Sequence, residues 1–278
     1  MDYRLIAIDM DGTLLNSNNE VTERTSDALR KAKEKGVYVV LTTGRLLESA
    51  LFYAENLKLE NPIIACNGAI IADEYRNIIC KKPLDKDSVE KIMKLGMKHN
   101  IYYHFYDEKC FYANVFVEEI VKHYNSSTGK LRGQEIQINI FDEMEEILSR
   151  KDFDVYKFMF IDDNNDKMGK LKDELSMLKN VSLSKSWRNN IEVMAKDVSK
   201  GSAVKYLCER LGISSDEVIA IGDNENDLSM ISYAGLGVAM GNGEDIVKKR
   251  AKYITSANDE DGVAMVIEKF ILKMGDGK

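Results

Sequence analysis

Proline is nearly absent. Pro62 and Pro83 are the only two in 278 residues, so no proline-rich linker separates one part of the chain from another. Cysteine is scarce and scattered: Cys66, Cys80, Cys110 and Cys208 form no Cys-x-x-Cys pair and have no histidine cluster beside them. That pattern fits neither a zinc site nor a disulfide framework, and it suits reduced thiols in the cytoplasm. A basic surplus is missing as well. The 39 Lys and Arg against 46 Asp and Glu give a net charge of −7, spread along the chain without an acidic tail or a basic arm. This argues against a protein that grips nucleic acid or anionic membrane through a basic patch. Long apolar runs are absent too. The longest stretch without a charge, Leu228–Gly243, has sixteen residues and four glycines, whereas a membrane span takes roughly 20 mostly apolar residues. The start of the chain meets Asp9 too early for a signal-peptide core. The expectation is a soluble, cytoplasmic protein with no nucleic-acid and no membrane partner.

What is present is enough for a packed core: 44% hydrophobic and 31% charged residues over about two domains' length. The N-terminal third alternates short apolar runs with helical stretches, reading as strands at 4–8, 37–41 and 62–66 and helices at 22–35 and 46–57. The C-terminal third repeats the rhythm, with helices at 202–211, 227–231, 245–250 and 262–273 and strands at 218–221, 236–239 and 253–254. Strands alternating with helices imply a parallel sheet covered on both faces. The middle differs, with helices at 87–99, 143–149 and 167–179 and strands at 101–106 and 155–161. The expected architecture is α/β: a Rossmann-like parallel-sheet core made of 1–82 plus 188–278, interrupted by an α+β cap at 83–187.

The residues that suggest chemistry sit where strands end. Asp9-Met10-Asp11-Gly12-Thr13 follows the first strand, and open α/β sheets bind ligands outside the carboxyl ends of their strands. Two carboxylates flanking one residue suit phosphoryl transfer, one attacking phosphorus and the other moving protons. Thr42-Thr43-Gly44-Arg45 ends the second strand. Its hydroxyl and N–H groups suit a phosphate oxygen, and capping of the next helix by Thr43 is an equal reading. Arg45 would add charge or brace the loop. Lys200 opens a helix, against the macrodipole, and therefore meets either solvent or an anion. Gly222-Asp223-Asn224-Glu225-Asn226-Asp227 again gathers carboxylates and amides after a strand. Mg²⁺ prefers such oxygen ligands and takes one or two carboxylates with substrate phosphate; Asp9 and Asp223 could be that pair, with the Asp11 carbonyl. The alternative for Asp227 is a helix N-cap.

In this order, Asp9-Met10-Asp11-Gly12-Thr13, Thr43-Gly44-Arg45, Lys200-Gly201 and Gly222-Asp223-x-x-Asn226-Asp227 resemble the four motifs of the haloacid dehalogenase-like hydrolase superfamily. The long insert and Cys66-Asn67-Gly68-Ala69 resemble the Cof-type phosphatases, which carry a large α/β cap. The resemblance implies that Asp9 is the nucleophile and Asp11 the general acid/base. It implies that Thr43 and Lys200 hold the transferring phosphoryl group with N–H groups near Met10 and Gly44, and that Asn226 contacts phosphate. Mg²⁺ would be bound by Asp9, the Asp11 carbonyl and Asp223, steadied by Asp227. The implied activity is Mg²⁺-dependent hydrolysis of small phosphorylated metabolites, such as sugar phosphates, through an aspartyl-phosphate. A hexose phosphomutase using the same aspartate and a non-enzymatic phospho-acceptor or phosphometabolite-binding module are the alternatives. Oligomeric state is not legible.

Weaker patterns have plainer explanations. Gly235-x-Gly237 followed by Gly241 has the wrong spacing for a dinucleotide loop. Asp162-x-Asn164-x-Asp166 lacks the glycine a calcium loop needs and reads as a helix cap. His99, His104 and His123 are too scattered for a triad. The aromatic group Tyr102–Tyr106 with Phe111 and Tyr112 reads as a cap strand pair, from which one or two rings could face a substrate.

Overall fold

The computed structural model describes residues 2–108, 110–120, 138–150, 153–187 and 189–274; His123 lies outside them. Two sheets organise the chain. The first is built from β1 (Leu5–Ile8), β2 (Tyr38–Thr42), β3 (Ile63–Ala65), β4 (Ile70–Ala72), β5 (Ile78–Lys81), β12 (Val218–Gly222), β13 (Leu236–Ala239) and β14 (Tyr253–Ile254). Its eight strands lie in the order β14-β13-β12-β1-β2-β3-β4-β5. From β14 to β3 every pairing is parallel, as the strand–helix alternation requires. An antiparallel extension, β3–β4–β5, closes one edge, where the apolar pattern indicates no strand. The parallel strands are buried on both faces, Leu5, Ile6, Ala7 and Ile8 being wholly covered, which is why they read as apolar runs rather than alternations.

The order of strands places the site. From β1 the chain goes to β2 and β3 on one side, and later from β12 to β13 and β14 on the other. The crevice at such a reversal, beyond the carboxyl ends of the strands, is where open α/β sheets bind ligands. Asp9 follows β1, Thr43 follows β2 and Asp223 follows β12.

The second sheet is built from β6 (Tyr102–Tyr106), β7 (Phe111–Ala113), β8 (Ile138–Ile140), β9 (Lys157–Ile161), β10 (Val181–Ser184) and β11 (Asn190–Ala195). Its order is β10-β11-β9-β6-β7-β8. The pairing of β6 with β7 is antiparallel, in keeping with the strand pair expected of the aromatic run. Strand β11 pairs with both β10 and β9, so by sheet membership it goes with the insert. The expected boundary at 187/188 leaves it with the second core segment.

Period-two geometry sorts the side chains of this sheet. Tyr103, Phe105, Phe158, Phe160, Ile191 and Val193 pack in one cluster with Val89, Ile92 and Met93 of the helix Lys86–His99 and Leu171 and Leu175 of the helix Asn165–Ser176. The intervening residues Tyr106, Lys157, Met159 and Glu192 point to the opposite face, and these four line a cavity above the first sheet. Asn164 caps the helix Asn165–Ser176 by accepting the N–H groups of Asp166 and Lys167 at 3.1 and 3.0 Å; the Asp162–Asp166 run is the helix cap that its sequence indicates. No helix of the described residues is long and apolar enough to cross a membrane.

Candidate active site

Three chain segments far apart in sequence converge on one buried cluster. Asp9 is tied to the end of β12 by its own N–H, which donates to the Ile221 carbonyl at 3.0 Å. Lys200 begins the helix Lys200–Leu211, whose N-cap is Ser199. Its ammonium is fully buried and donates to Asp9 Oδ1 and, at 2.6 Å, to Asp227 Oδ1. Of the two readings open for this lysine, the anion is the one realised. Asp227 does not cap the next helix, Leu228–Tyr233, through its side chain. Its other oxygen accepts the N–H groups of Asp223 and Asn224 at 2.9 and 3.1 Å, so it fixes the loop that carries Asp223. Asp223 in turn accepts from the Thr13 hydroxyl at 2.8 Å and from Asn224 Nδ2 at 2.7 Å.

Gly12 permits this crowding. Its φ is +75°, and a Cβ there would lie 2.6 Å from Asp223 Oδ2, so both the turn and the close approach demand glycine.

Ligand atoms of Asp9, Asp223 and Asp227 lie within 4.8 Å of one another. One ammonium serves three buried carboxylates, and burial without full compensation disfavours charge. Asp9 is accordingly pushed well above the ordinary carboxylate range, by burial first and by the Asp227 charge second. Asp223 rises to about 7 for the same two reasons. Burial alone would lower Lys200, but the charges of Asp227 and Asp9 outweigh it and keep the ammonium protonated. A cluster short of positive charge and rich in hard oxygen donors fits a divalent cation.

The remaining sequence-predicted residues surround this cluster. The Asp11 carboxylate is half exposed and held by the Arg45 guanidinium, Nε at 2.8 Å on one oxygen and Nη2 on the other. Arg45 itself lies 5.4 Å from the Tyr53 ring centroid, so bracing is the role it takes. Thr43 is buried; its hydroxyl accepts the Arg45 N–H at 3.1 Å. It stabilises the turn rather than the helix Leu47–Asn56, which has no side-chain cap. Met10 is buried beside Asp9. Asn226 donates to Asn67 Oδ1 at 3.3 Å, and its own Oδ1 is buried with no hydrogen-bond partner among the described residues.

Above the cluster is a cavity of about 260 Å³. Its floor is Asp9, Asp11, Gly12, Gly44, Asp223 and Asn226, and its roof is Tyr106, Lys157, Met159, Ser186, Trp187 and Glu192 from the second sheet and the loop after β10. Sequence reasoning does not single out the roof residues, except that Tyr106 belongs to the aromatic group. A signal exists for two of them. Lys157 is a lone cation inside Val155–Ile161, and Glu192 a lone anion inside Ile191–Ala195; a charge in the middle of an apolar strand is buried for a reason.

Comparison with known proteins places the chain in a family. The profile of the haloacid dehalogenase-like hydrolase family matches residues 6–267. The chain is 38% identical to 5-amino-6-(5-phospho-D-ribitylamino)uracil phosphatase YcsE of Bacillus subtilis, over 98% of this chain and 97% of that one. It is 30% identical to 5-amino-6-(5-phospho-D-ribitylamino)uracil phosphatase YwtE of the same organism, over 96% and 98%. Among solved structures, a haloacid dehalogenase-like hydrolase from B. subtilis superposes with a TM-score of 0.88 at 28% identity, covering 96% of this chain and all of that one. The chain belongs to the haloacid dehalogenase-like hydrolase family and is a phosphatase of that superfamily.

Proposed function

We propose that this phosphatase hydrolyses monoesters of small phosphorylated metabolites through a phosphoenzyme on Asp9, with Mg²⁺ as its cation. The observation that carries the proposal is the buried Asp9–Lys200–Asp227–Asp223 cluster at the sheet's switch point, lying under a cavity roofed by the inserted sheet. Asp9 and Asp223 would hold the cation with the Asp11 carbonyl, and Asp227 would keep their loop in place. The ion would offset the repulsion between a phosphate dianion and the carboxylates.

The chain's own groups supply the rest. The Asp9 oxygen that does not face Lys200 is the attacking atom, and Lys200 holds the carboxylate by its other oxygen. Attack forms the Asp9–phosphorus bond and breaks the bond from phosphorus to the leaving oxygen. Asp11, at the cavity edge, would give that oxygen its proton in its protonated form, released from the Arg45 fork that engages both of its oxygens here, and would then take one from the water that cleaves the phosphoenzyme. Thr43, Lys200, Asn226 and N–H groups near Met10 and Gly44 receive the phosphoryl oxygens. The inserted sheet acts as a lid that limits water and contacts the leaving group.

The roof supports a narrower substrate class. Tyr106, Met159 and Trp187, with Leu46 below, give the leaving group an apolar and aromatic surface, better suited to a flat ring than to a bare hexose. The two named relatives act on a ribityl phosphate carrying a uracil ring, and a phosphorylated polyol bearing a heteroaromatic ring is the substrate class proposed here. No disulfide is formed among the described residues, which suits a reducing cytoplasm. A phosphate-release screen over sugar phosphates, flavin mononucleotide, pyridoxal phosphate and ribityl phosphates, with and without Mg²⁺, tests the proposal. Preference for hexose phosphates would overturn the substrate class, and release independent of any dication would overturn the metal.

A further inference from the structure

We infer that Lys157 and Glu192, two residues of the inserted sheet, are positioning residues that set the shape of the phosphate-binding loop at Gly44 and do so only while the lid is seated. The inference rests on the reading above in one respect, that the Gly44 loop receives phosphate.

Both side chains are almost wholly buried. Lys157 donates to Glu192 Oε1 at 2.9 Å and to the Gly44 carbonyl at 2.6 Å, and its ammonium lies 5.0 Å from the Tyr106 ring centroid. Glu192 also accepts from Ser184 and Ser186 at 2.9 and 3.0 Å, and from Asn67 Nδ2 of the core at 2.8 Å. Burial alone would raise the Glu192 carboxyl, but the Lys157 charge and these hydrogen bonds bring it below its ordinary value.

The bonds fall on the two peptide units that flank Gly44. In the first unit, the Thr43 carbonyl accepts the Asn67 N–H at 2.9 Å. In the second, the Gly44 carbonyl accepts Lys157 while the Arg45 N–H donates to the Thr43 hydroxyl. Both planes are therefore fixed, and with them the direction of the Gly44 N–H. A Cβ on Gly44 would lie 2.9 Å from Asn67 Oδ1 and 3.2 Å from Lys157 Nζ, so the group closes tightly on this residue. Asn67 and its neighbour Cys66 have φ of +55° and +49°, a left-handed pair that is sustained only where surroundings over-determine it. A buried ion pair is weak support for stability, since apolar replacements are often neutral; positioning accounts for a pair that spans lid and core. Lifting the second sheet would remove Lys157 from Gly44 and Glu192 from Asn67 together.

The test is titration calorimetry of inorganic phosphate into the Mg²⁺-loaded protein, alongside Tm and hydrolysis of p-nitrophenyl phosphate. Lys157→Met should weaken phosphate binding about tenfold and lower Tm, because Glu192 is left buried without its cation. In the double variant Lys157→Met/Glu192→Gln most of the Tm should return while phosphate binding stays weak. Wild-type phosphate affinity in the double variant would overturn the inference, for the pair would then serve stability alone. Where the Lys157→Met variants do not fold, Glu192→Gln, which keeps the side chain's shape but replaces the charge and one accepting oxygen, should still weaken phosphate binding about threefold through a looser Lys157, and an unchanged affinity would overturn it. Wild-type turnover by Asp9→Asn would instead overturn the phosphoenzyme reading and leave this one standing.

Discussion

The floor and the roof of the cavity are built on opposite principles. The floor is charge: Asp9 and Asp223 line it, and Asp227 and Lys200 beneath hold them through hydrogen bonds from the loops at the ends of β1 and β12 and from one helix start. Apart from the Lys157–Glu192 pair, the roof is surface: Tyr106, Met159 and Trp187 present aromatic and apolar area to the cavity. The difference teaches where each function resides. Bond-making requires fixed charges that touch the reacting atoms, and recognition of a leaving group requires a face that can be re-cut residue by residue. Substitutions in the floor should therefore abolish turnover for every substrate, and those in the roof should redistribute it among substrates.

The largest effect is expected at Asp9. Asp9→Asn should lower kcat by at least about a thousandfold on any phosphomonoester, since on the proposed mechanism it removes the attacking oxygen's nucleophilicity. Phosphate release from p-nitrophenyl phosphate reads this directly. Tm should not fall, because the change relieves crowding among three buried carboxylates. Lys200→Met comes next. In metal-free buffer it should cost about 3–5 kcal/mol by chemical denaturation, the penalty for leaving buried carboxylates without their cation. A loss confined to activity, with stability unchanged, would mean that the floor is not a single electrostatic unit.

The third prediction concerns pH and the cation. Asp223 is raised to about 7, and Asp9 well above the ordinary range, by burial and the Asp227 charge. Between about pH 4, where an unfolded carboxyl titrates, and about pH 7, the metal-free fold holds protons that the unfolded chain has lost. Its stability must therefore fall as pH rises through that window. On the proposed reading Mg²⁺ would be held by the deprotonated carboxylates, so the stabilisation from adding it should grow across the same window, reaching about 2.7 kcal/mol at a hundredfold excess over Kd. Differential scanning fluorimetry at stepped pH, with and without Mg²⁺, measures it. A gain that is flat with pH would break the link between the floor's charge and its cation.

The same contrast explains what is legible in the sequence. The floor is legible because each of its residues sits within a few positions of a strand end or a helix start, and these are marked by local signals: an apolar run, then Asp-x-Asp-Gly, Thr-Gly-Arg or Gly-Asp. The parallel strands are legible because burial on both faces makes them uniformly apolar. The inserted sheet depends on long-range antiparallel register. Tyr106 pairs with Lys157, and Met159 with both His104 and Glu192, partners that no local pattern announces. Strand β11 escapes sequence reasoning for that reason, and with it Glu192. Asn67 stands out only through its resemblance, since its role depends on a side chain more than a hundred residues away in sequence.

The smallest effect should come from the roof, and it bears most directly on the contrast between the two surfaces. Trp187 lines the cavity from the loop between β10 and β11 and makes no part of the charged cluster. Trp187→Ala should raise KM for a ring-bearing ribityl phosphate about tenfold, the loss of one aromatic contact face. It should leave kcat for p-nitrophenyl phosphate and the affinity for inorganic phosphate within about twofold of the parent, because floor and loop are untouched. Steady-state kinetics on both substrates separates the outcomes. A fall in kcat on both would place Trp187 with Lys157 and Glu192 among the residues that shape the phosphate loop. A rise in KM confined to the larger substrate would show that chemistry and selection divide between the two sheets.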